Sequence, residues 1–241
     1  MRIKSVENYD LQCPLGRPFG WSQGWIDHRS TCIVKITTDD GIVGWGEGCG
    51  GPIASLVRDL LTPILIGQNP MDRAGIWERA FHALYNANNA VGIGGSALSA
   101  IDIALWDIAG KATDLPVCQL LGGRVRERVA VYATGLYYTE GEFPDRLLDE
   151  ARSYVDAGYK GMKTKVGGLS IDEDVKRVAA IRDAIGPDIK LMVDANLAYN
   201  ASSAIRIGQR LAELDILWFE EPVNARDIDA YLQVKAALPM A

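Results

Sequence analysis

From about residue 128 onward the chain alternates between short apolar runs and amphipathic helical stretches, and this constrains the fold more than any other feature. Val129 to Thr134 reads as a strand, Pro144 to Ala157 as a helix ended by Gly158, and Tyr159 to Val166 as the next strand. Ser170 and Glu173 have the spacing of a capping box, and Gly186 can close the helix they open. Ile189 to Val193, a helix from Asn200, Ile216 to Phe219 and a helix near Asp227 to Leu238 continue the series. Lys165 and Asp194 lie 29 residues apart, and Asp194 and Glu220 lie 26 apart. Units of that length join parallel strands through crossover helices, in an open doubly wound sheet or in a closed eightfold barrel.

The first half reads differently. Arg2 to Tyr9 and Ser30 to Thr38 are candidate strands, the second turning at Asp40-Gly41 into a returning arm, Gly41 to Glu47. Pro14 to Ile26, with its Gly, Pro, Phe19, Trp21 and Trp25, reads as a loop. Residues 55–121 read as helical, most clearly from Ala97 to Ala112, where Leu98, Ile101, Leu105 and Ile108 share a face. Strands followed by helices in segregated runs suggest a small α+β domain.

The 241 residues carry a net charge of −6, which gives no electrostatic footprint for nucleic acid. No run of about 18 apolar residues suggests a membrane span. The N-terminus enters a strand pattern without the apolar core of a signal peptide, and Cys13, Cys32, Cys49 and Cys118 form no Cys-x-x-Cys pair, so a cytoplasmic chain is expected. With only His28 and His82 available, any metal would be held by carboxylates.

Each strand of the second half ends in charge, where an eightfold barrel places its chemistry. Lys163 and Lys165 share one face of their strand, and Met162, Thr164 and Val166 the other. Two lysines facing a barrel interior are costly unless anions meet them. The next strand runs into Asp194-Ala195-Asn196 and the following one into Glu220-Glu221-Pro222. Any one of these could be a solvated strand end. Three in succession describe a pocket with two cations beside two or more carboxylates, whose oxygen ligands suit a hard ion, Mg²⁺ before Mn²⁺.

At these residues the chain resembles the mandelate racemase and muconate lactonizing enzyme branch of the enolase superfamily. The stretch from Ala97 to Lys111, ALSAIDIALWDIAGK, with PVCQLLG from Pro116 to Gly122, is similar to the branch's helix signature almost residue for residue. A second signature runs from Leu191 through Asp194 and Asn196 to Glu220-Glu221-Pro222, with Phe219 a small departure. The resemblance implies a capping α+β domain over residues 1–125. Residues 126–241 would then be the first half of a (β/α) TIM-like barrel, about four βα units short of closure. By the same resemblance Lys165 takes a proton alpha to a carboxylate and Lys163 contacts that carboxylate. Asp194 and Glu220 are two of three Mg²⁺ ligands, with Glu221 competing for the second place, and Asn196 hydrogen-bonds the substrate carboxylate. The third ligand and the second acid/base group would lie beyond Ala241, so the chain alone is expected to show no turnover. Lys163 and a nearby divalent ion should depress the pKa of the base, while pocket carboxylates push it up.

Substrate selection is expected in the capping loops, Pro14 to Arg29 and Glu47 to Pro52. There Phe19, Trp21 and Trp25 could wall a pocket, and Arg17, Gln23, His28 or Arg29 could bind hydroxyls or a distal carboxylate. His82 reads as structural. The pattern points to a small carboxylate, most closely to dehydration of an acid sugar. Racemisation of a 2-hydroxy acid comes second, and cycloisomerisation or amino-acid epimerisation stays open. The resemblance also implies a homo-oligomer. Two rivals are a half-barrel that binds metal or a partner without catalysis, and a nucleotide-dependent oxidoreductase suggested by Gly92-Ile-Gly-Gly-Ser96. The latter run follows no convincing strand and lacks the full GxGxxG spacing.

Overall fold

A computed structural model describes residues 1–87, 91–141 and 143–241. The chain divides into two compact units, one of Met1–Pro14 with His28–Glu127, the other of Leu15–Asp27 with Arg128–Ala241.

Strands β1 (Ile3–Trp21), β2 (Gly24–Thr38) and β3 (Val43–Cys49) form a sheet in that order, which belongs to the first unit apart from Leu15–Asp27. Short helices α1 (Ile53–Ser55) and α2 (Thr62–Leu65) flank a wide π-helical turn, Leu56–Leu61, and are followed by α3 (Arg73–Asn86), α4 (Ile93–Thr113) and α5 (Val117–Leu120). By length and composition alone, α4 is apolar enough to cross a membrane. Its apolarity is spent on packing, since nine of its residues are buried, Leu98, Ile101, Leu105 and Ile108 among them. The partner surface is β3, where Gly44 and Gly46 present bare backbone to the helix. A methyl group at Gly44 would fall on the Ala104 carbonyl, and one at Gly46 on the Ala100 carbonyl. Gly92 caps α4 with a positive φ of 65°, and among the described residues the element before α4 is helix α3 and not a strand, which speaks against the nucleotide-binding reading of Gly92 to Ser96.

The segment expected to be a loop, Pro14 to Ile26, is instead a two-stranded ribbon that turns only at Ser22-Gln23. Prolines are tolerated there because β1 is an edge strand and its outward N–H groups have no ladder to join. The ribbon tip belongs to the second unit, where Gly20 and Tyr138 exchange both backbone bonds (Gly20 N–H to Tyr138 O 2.7 Å, the reverse 3.0 Å).

The second unit holds a parallel sheet in sequence order, β4 (Ala133–Thr134), β5 (Gly161–Lys165), β6 (Lys190–Asp194) and β7 (Ile216–Glu220). Helices α6 (Asp145–Asp156), α7 (Ile171–Ile185), α8 (Ala201–Leu211) and α9 (Ile228–Ala237) follow the strands one by one. The expected capping box forms at α7: Ser170 Oγ accepts from Glu173 N–H, and Glu173 Oε2 accepts from Ser170 N–H. Asn200 and Asp227 cap α8 and α9 by the one-way bond alone, their side chains accepting from the backbone N–H groups of Ser203 and Ala230. Met162, Val166, Leu191, Val193 and Phe219 join apolar residues of the helices in one core, so the opposite strand faces are left for polar side chains.

Candidate active site

Strand register builds the site. Lys165 pairs with Asp194 and Asp194 with Glu220, so the three residues form one row across β5, β6 and β7. Residues side by side in a parallel sheet point the same way, and Lys163, two before Lys165, joins them. All five residues of β5 are buried, and Lys163, Lys165 and Asp194 keep only 7%, 8% and 2% of their surface.

The lysines meet the anions that their burial demands. Lys165 Nζ donates to Asp194 Oδ2 at 2.7 Å. Lys163 Nζ donates to Glu220 Oε1 at 2.7 Å and lies 3.2 Å from Asp194 Oδ2. The remaining carboxylate oxygens are also held, Asp194 Oδ1 by the Asn196 backbone N–H (2.9 Å) and Glu220 Oε2 by the Trp218 indole N–H (3.0 Å). Burial by itself would raise the Asp194 pKa, but the bond from Lys165, the Asn196 N–H and the lysine charges hold it below the ordinary aspartate value. At Lys163 burial pushes downward, yet Glu220 and Asp194 outweigh it and the ammonium sits above an ordinary lysine.

Glu220 and Glu221 part company. Glu221 takes a left-handed φ of 44°, which turns it out of the row, and it accepts from Asn196 Nδ2 at 3.2 Å. Asn196 is itself left-handed (φ 44°), beyond the end of β6 rather than on its face, and its Oδ1 is buried without a protein partner. The ribbon turn is tied to the same strand end, with Ser22 Oγ donating to Asp194 O (3.4 Å) and Gln23 Nε2 to Asn196 O.

Of the expected pocket aromatics, Phe19 packs on Tyr137 with ring centroids 4.4 Å apart, and the Tyr137 ring lies 5.7 Å from Lys165 Nζ. Trp21 is half-buried at the end of β1, its indole nitrogen against Gly24. Trp25 and Arg17 line a separate cavity of about 740 Å³ with Asp27, Glu140 and Arg146, which none of the buried lysines or carboxylates enters. His82 is exposed on α3, 4.0 Å from Glu78. Tyr137 was not singled out by the sequence. Its position at the end of the first βα-unit strand is the signal that could have found it.

Among the described residues no three His, Cys, Asp or Glu side chains converge as a metal-binding group. Asp194 and Glu220 nevertheless share one cation, the Lys163 ammonium, from adjacent strands. Two hard-oxygen donors aimed at one positive charge fit as part of the ligand set of a divalent ion.

Residues 5–122 match the family model described as mandelate racemase / muconate lactonizing enzyme, N-terminal domain, and residues 146–241 match the enolase C-terminal domain-like family. The chain is 41% identical over 245 residues to D-galactarolactone cycloisomerase of Agrobacterium fabrum, covering all of this chain and 64% of that protein. It is 38% identical to arabinonate dehydratase of Saccharolobus solfataricus, with 91% of this chain and 60% of that protein covered. A crystal structure of a racemase from Streptomyces coelicolor with bound magnesium superposes with a TM-score of 0.91 at 31% identity, covering 99% of this chain and 67% of that one. The chain thus spans a little under two thirds of the length of these curated relatives.

Proposed function

The chain belongs to the mandelate racemase/muconate lactonizing enzyme branch of the enolase superfamily, as a capping domain with part of the (β/α) barrel, and from that membership we propose that Lys165 abstracts the proton alpha to the carboxylate of an acid sugar, which then loses water. The observation that carries the reading is the row Lys165–Asp194–Glu220 with Lys163 beside it, four charged groups on the interior-facing side of three neighbouring strands.

Lys165 as base must be neutral, released from Asp194, with its nitrogen lone pair toward the substrate α-carbon. It takes the α-proton, and the C–H electron pair moves into the carboxylate to give a dianionic enediolate. Lys163 stays charged and donates to that carboxylate as negative charge grows. In dehydration the electron pair returns to expel the β-hydroxyl, which leaves as water with a proton from an acid. Asn196 has an open acceptor, Oδ1, for a substrate hydroxyl, and one of its amide hydrogens is spent on Glu221. Mg²⁺ held by Asp194 and Glu220 would supply a Lewis acid that lowers the cost of the enediolate charge. Phe19 and Tyr137 give the pocket an apolar wall beside Lys165.

A second reading, opening or closing of a sugar lactone, is favoured by the name of the 41% identical relative. The two separate in one assay. In the active protein that carries this chain, a panel of sugar acids and their lactones is incubated in D₂O with Mg²⁺ and followed by ¹H NMR. Dehydration gives a keto acid lighter by one water, and cycloisomerisation gives a product of unchanged mass. Lys165→Ala should lower α-proton exchange about 10³-fold. Normal exchange in that variant would remove Lys165 as the base.

A further inference from the structure

Helix α7 carries two arginines whose guanidinium groups reach backbone carbonyls of neighbouring strand ends. Arg182 donates to the carbonyls of Ile189 (2.7 Å), Leu214 (3.0 Å) and Asp215 (2.9 Å), where β6 and β7 begin. Arg177 does the same where β4 and β5 finish. Its Nη1 donates to Lys165 O at 3.1 Å, and its Nη2 to Leu136 O at 3.2 Å and Tyr137 O at 3.4 Å. Leu136 takes a left-handed φ of 55°, rare for a bulky residue, and Thr164 Oγ1 also donates to its carbonyl, at 2.8 Å.

Arg177 is itself fixed from behind. Asp174, one turn earlier and fully buried, lies 3.7 Å from it. Asp174 Oδ1 accepts from Tyr138 Oη at 2.7 Å and Oδ2 from Gly167 N–H at 2.7 Å, while Gly168 N–H donates to Tyr138 Oη at 3.0 Å. The Tyr138 ring lies against the guanidinium, 4.1 Å away. An ion pair at such depth adds little net stability, because desolvation offsets the attraction. What it does add is geometry: Arg177 bonds the carbonyl of Lys165 and those of Leu136 and Tyr137 on the neighbouring strand end.

We propose that Arg177, braced by Asp174, is a positioning residue that fixes the direction of the Lys165 ammonium and of the Tyr137 ring beside it. The carbonyls it ties together belong to Lys165 and Tyr137 themselves, and the two side chains meet 5.7 Å apart on the inner face. Arg182 is the natural control, since it performs the same bonding at the end of the sheet where barrels keep no catalytic groups. The kinetic arm of the test rests on Lys165 as the base; the spectroscopic arm does not.

The test compares Arg177→Met, Arg177→Lys and Arg182→Met in the full active protein. It reads Tm, kcat and KM for α-proton exchange, the Kd for Mg²⁺ alone, and the ¹⁵Nζ resonance of Lys165, assigned with Lys165→Arg. Arg177→Met should shift the Lys165 resonance and lower kcat about 10- to 100-fold, with little change in KM or in the Mg²⁺ Kd, and Arg177→Lys should recover part of the kcat. Arg182→Met should lower Tm but leave the resonance and kcat in place. If Arg177→Met does not fold, Arg177→Lys replaces it, because one nitrogen cannot stand in the places of both Nη1 and Nη2 and the resonance should still move. An unmoved Lys165 resonance, or equal kcat losses in the two arginine positions at equal Tm, overturns the proposal. A shifted resonance with unchanged kcat supports the positioning and removes Lys165 as the base.

Discussion

Lys163 on β5 donates to Glu220 on β7 at 2.7 Å, across the intervening strand β6. The same ammonium lies 3.2 Å from Asp194 on the strand it crosses. Lys163 thus bridges two carboxylates that would otherwise repel each other at the mouth of the sheet, and Lys165 supplies the second positive charge through Asp194.

Lys163→Met should therefore destabilise the metal-free protein by about 2 kcal/mol, between the values for exposed and buried pairs because Glu220 is one-third exposed. Urea unfolding without divalent ions measures this. Added Mg²⁺ should recover more stability in the variant than in the parent, since it meets a Glu220 stripped of its lysine beside an Asp194 held by Lys165 alone. Equal recovery would mean that Asp194 and Glu220 do not share a cation.

Stability should depend on pH through the same groups. The folded-state pKa of Asp194 is depressed, so its contribution is fully present above its unfolded value of 3.8 and is lost as pH falls through the lower folded value. The Lys163 value is raised, so its contribution holds below the unfolded 10.5 and is lost as pH rises through the folded value. Asp194→Asn should accordingly weaken the protein at neutral pH, and the gap to the parent should close in acid below about pH 4. Urea midpoints of the two proteins across that range read it directly.

Asp194→Asn and Glu220→Gln should each weaken Mg²⁺ binding about tenfold or more, because each removes a charged oxygen donor. Glu221→Gln, which alters the bond from Asn196, should change it much less. Calorimetric titration of Mg²⁺ alone separates the two glutamates. A larger loss in Glu221→Gln would exchange their assignments.

Gly46→Ala should destabilise the first unit by about 3 kcal/mol or more, since the added methyl falls on the Ala100 carbonyl of α4 and neither backbone can retreat. Thermal melting monitored by circular dichroism gives the shift. A variant as stable as the parent would mean that β3 and α4 can separate without loss.

The strand–helix alternation of the second half, the Ser170 capping box and the helix starts at Asn200 and near Asp227 were legible from the sequence because each is set within a few neighbouring residues, by periodicity and, at Ser170, by a side chain reaching its own helix. The lysines and carboxylates at strand ends could be picked out for the same reason. Their partners could not. Lys163 and Glu220 are 57 residues apart and meet only because register aligns Lys165, Asp194 and Glu220 in one row. The ribbon from Pro14 to Ile26 looked like a loop because glycine and proline disfavour strands locally, and pairing of β1 with β2 overrides that preference. The alternating glycines at 44, 46 and 48 were visible as letters, but their use depends on a helix that packs from fifty residues away. Nothing in the sequence sets Asp174 and Arg177 apart from the other charges of α7. Only the tertiary structure buries them, because burial is decided by what packs over a residue, and its neighbours in the chain do not carry that information.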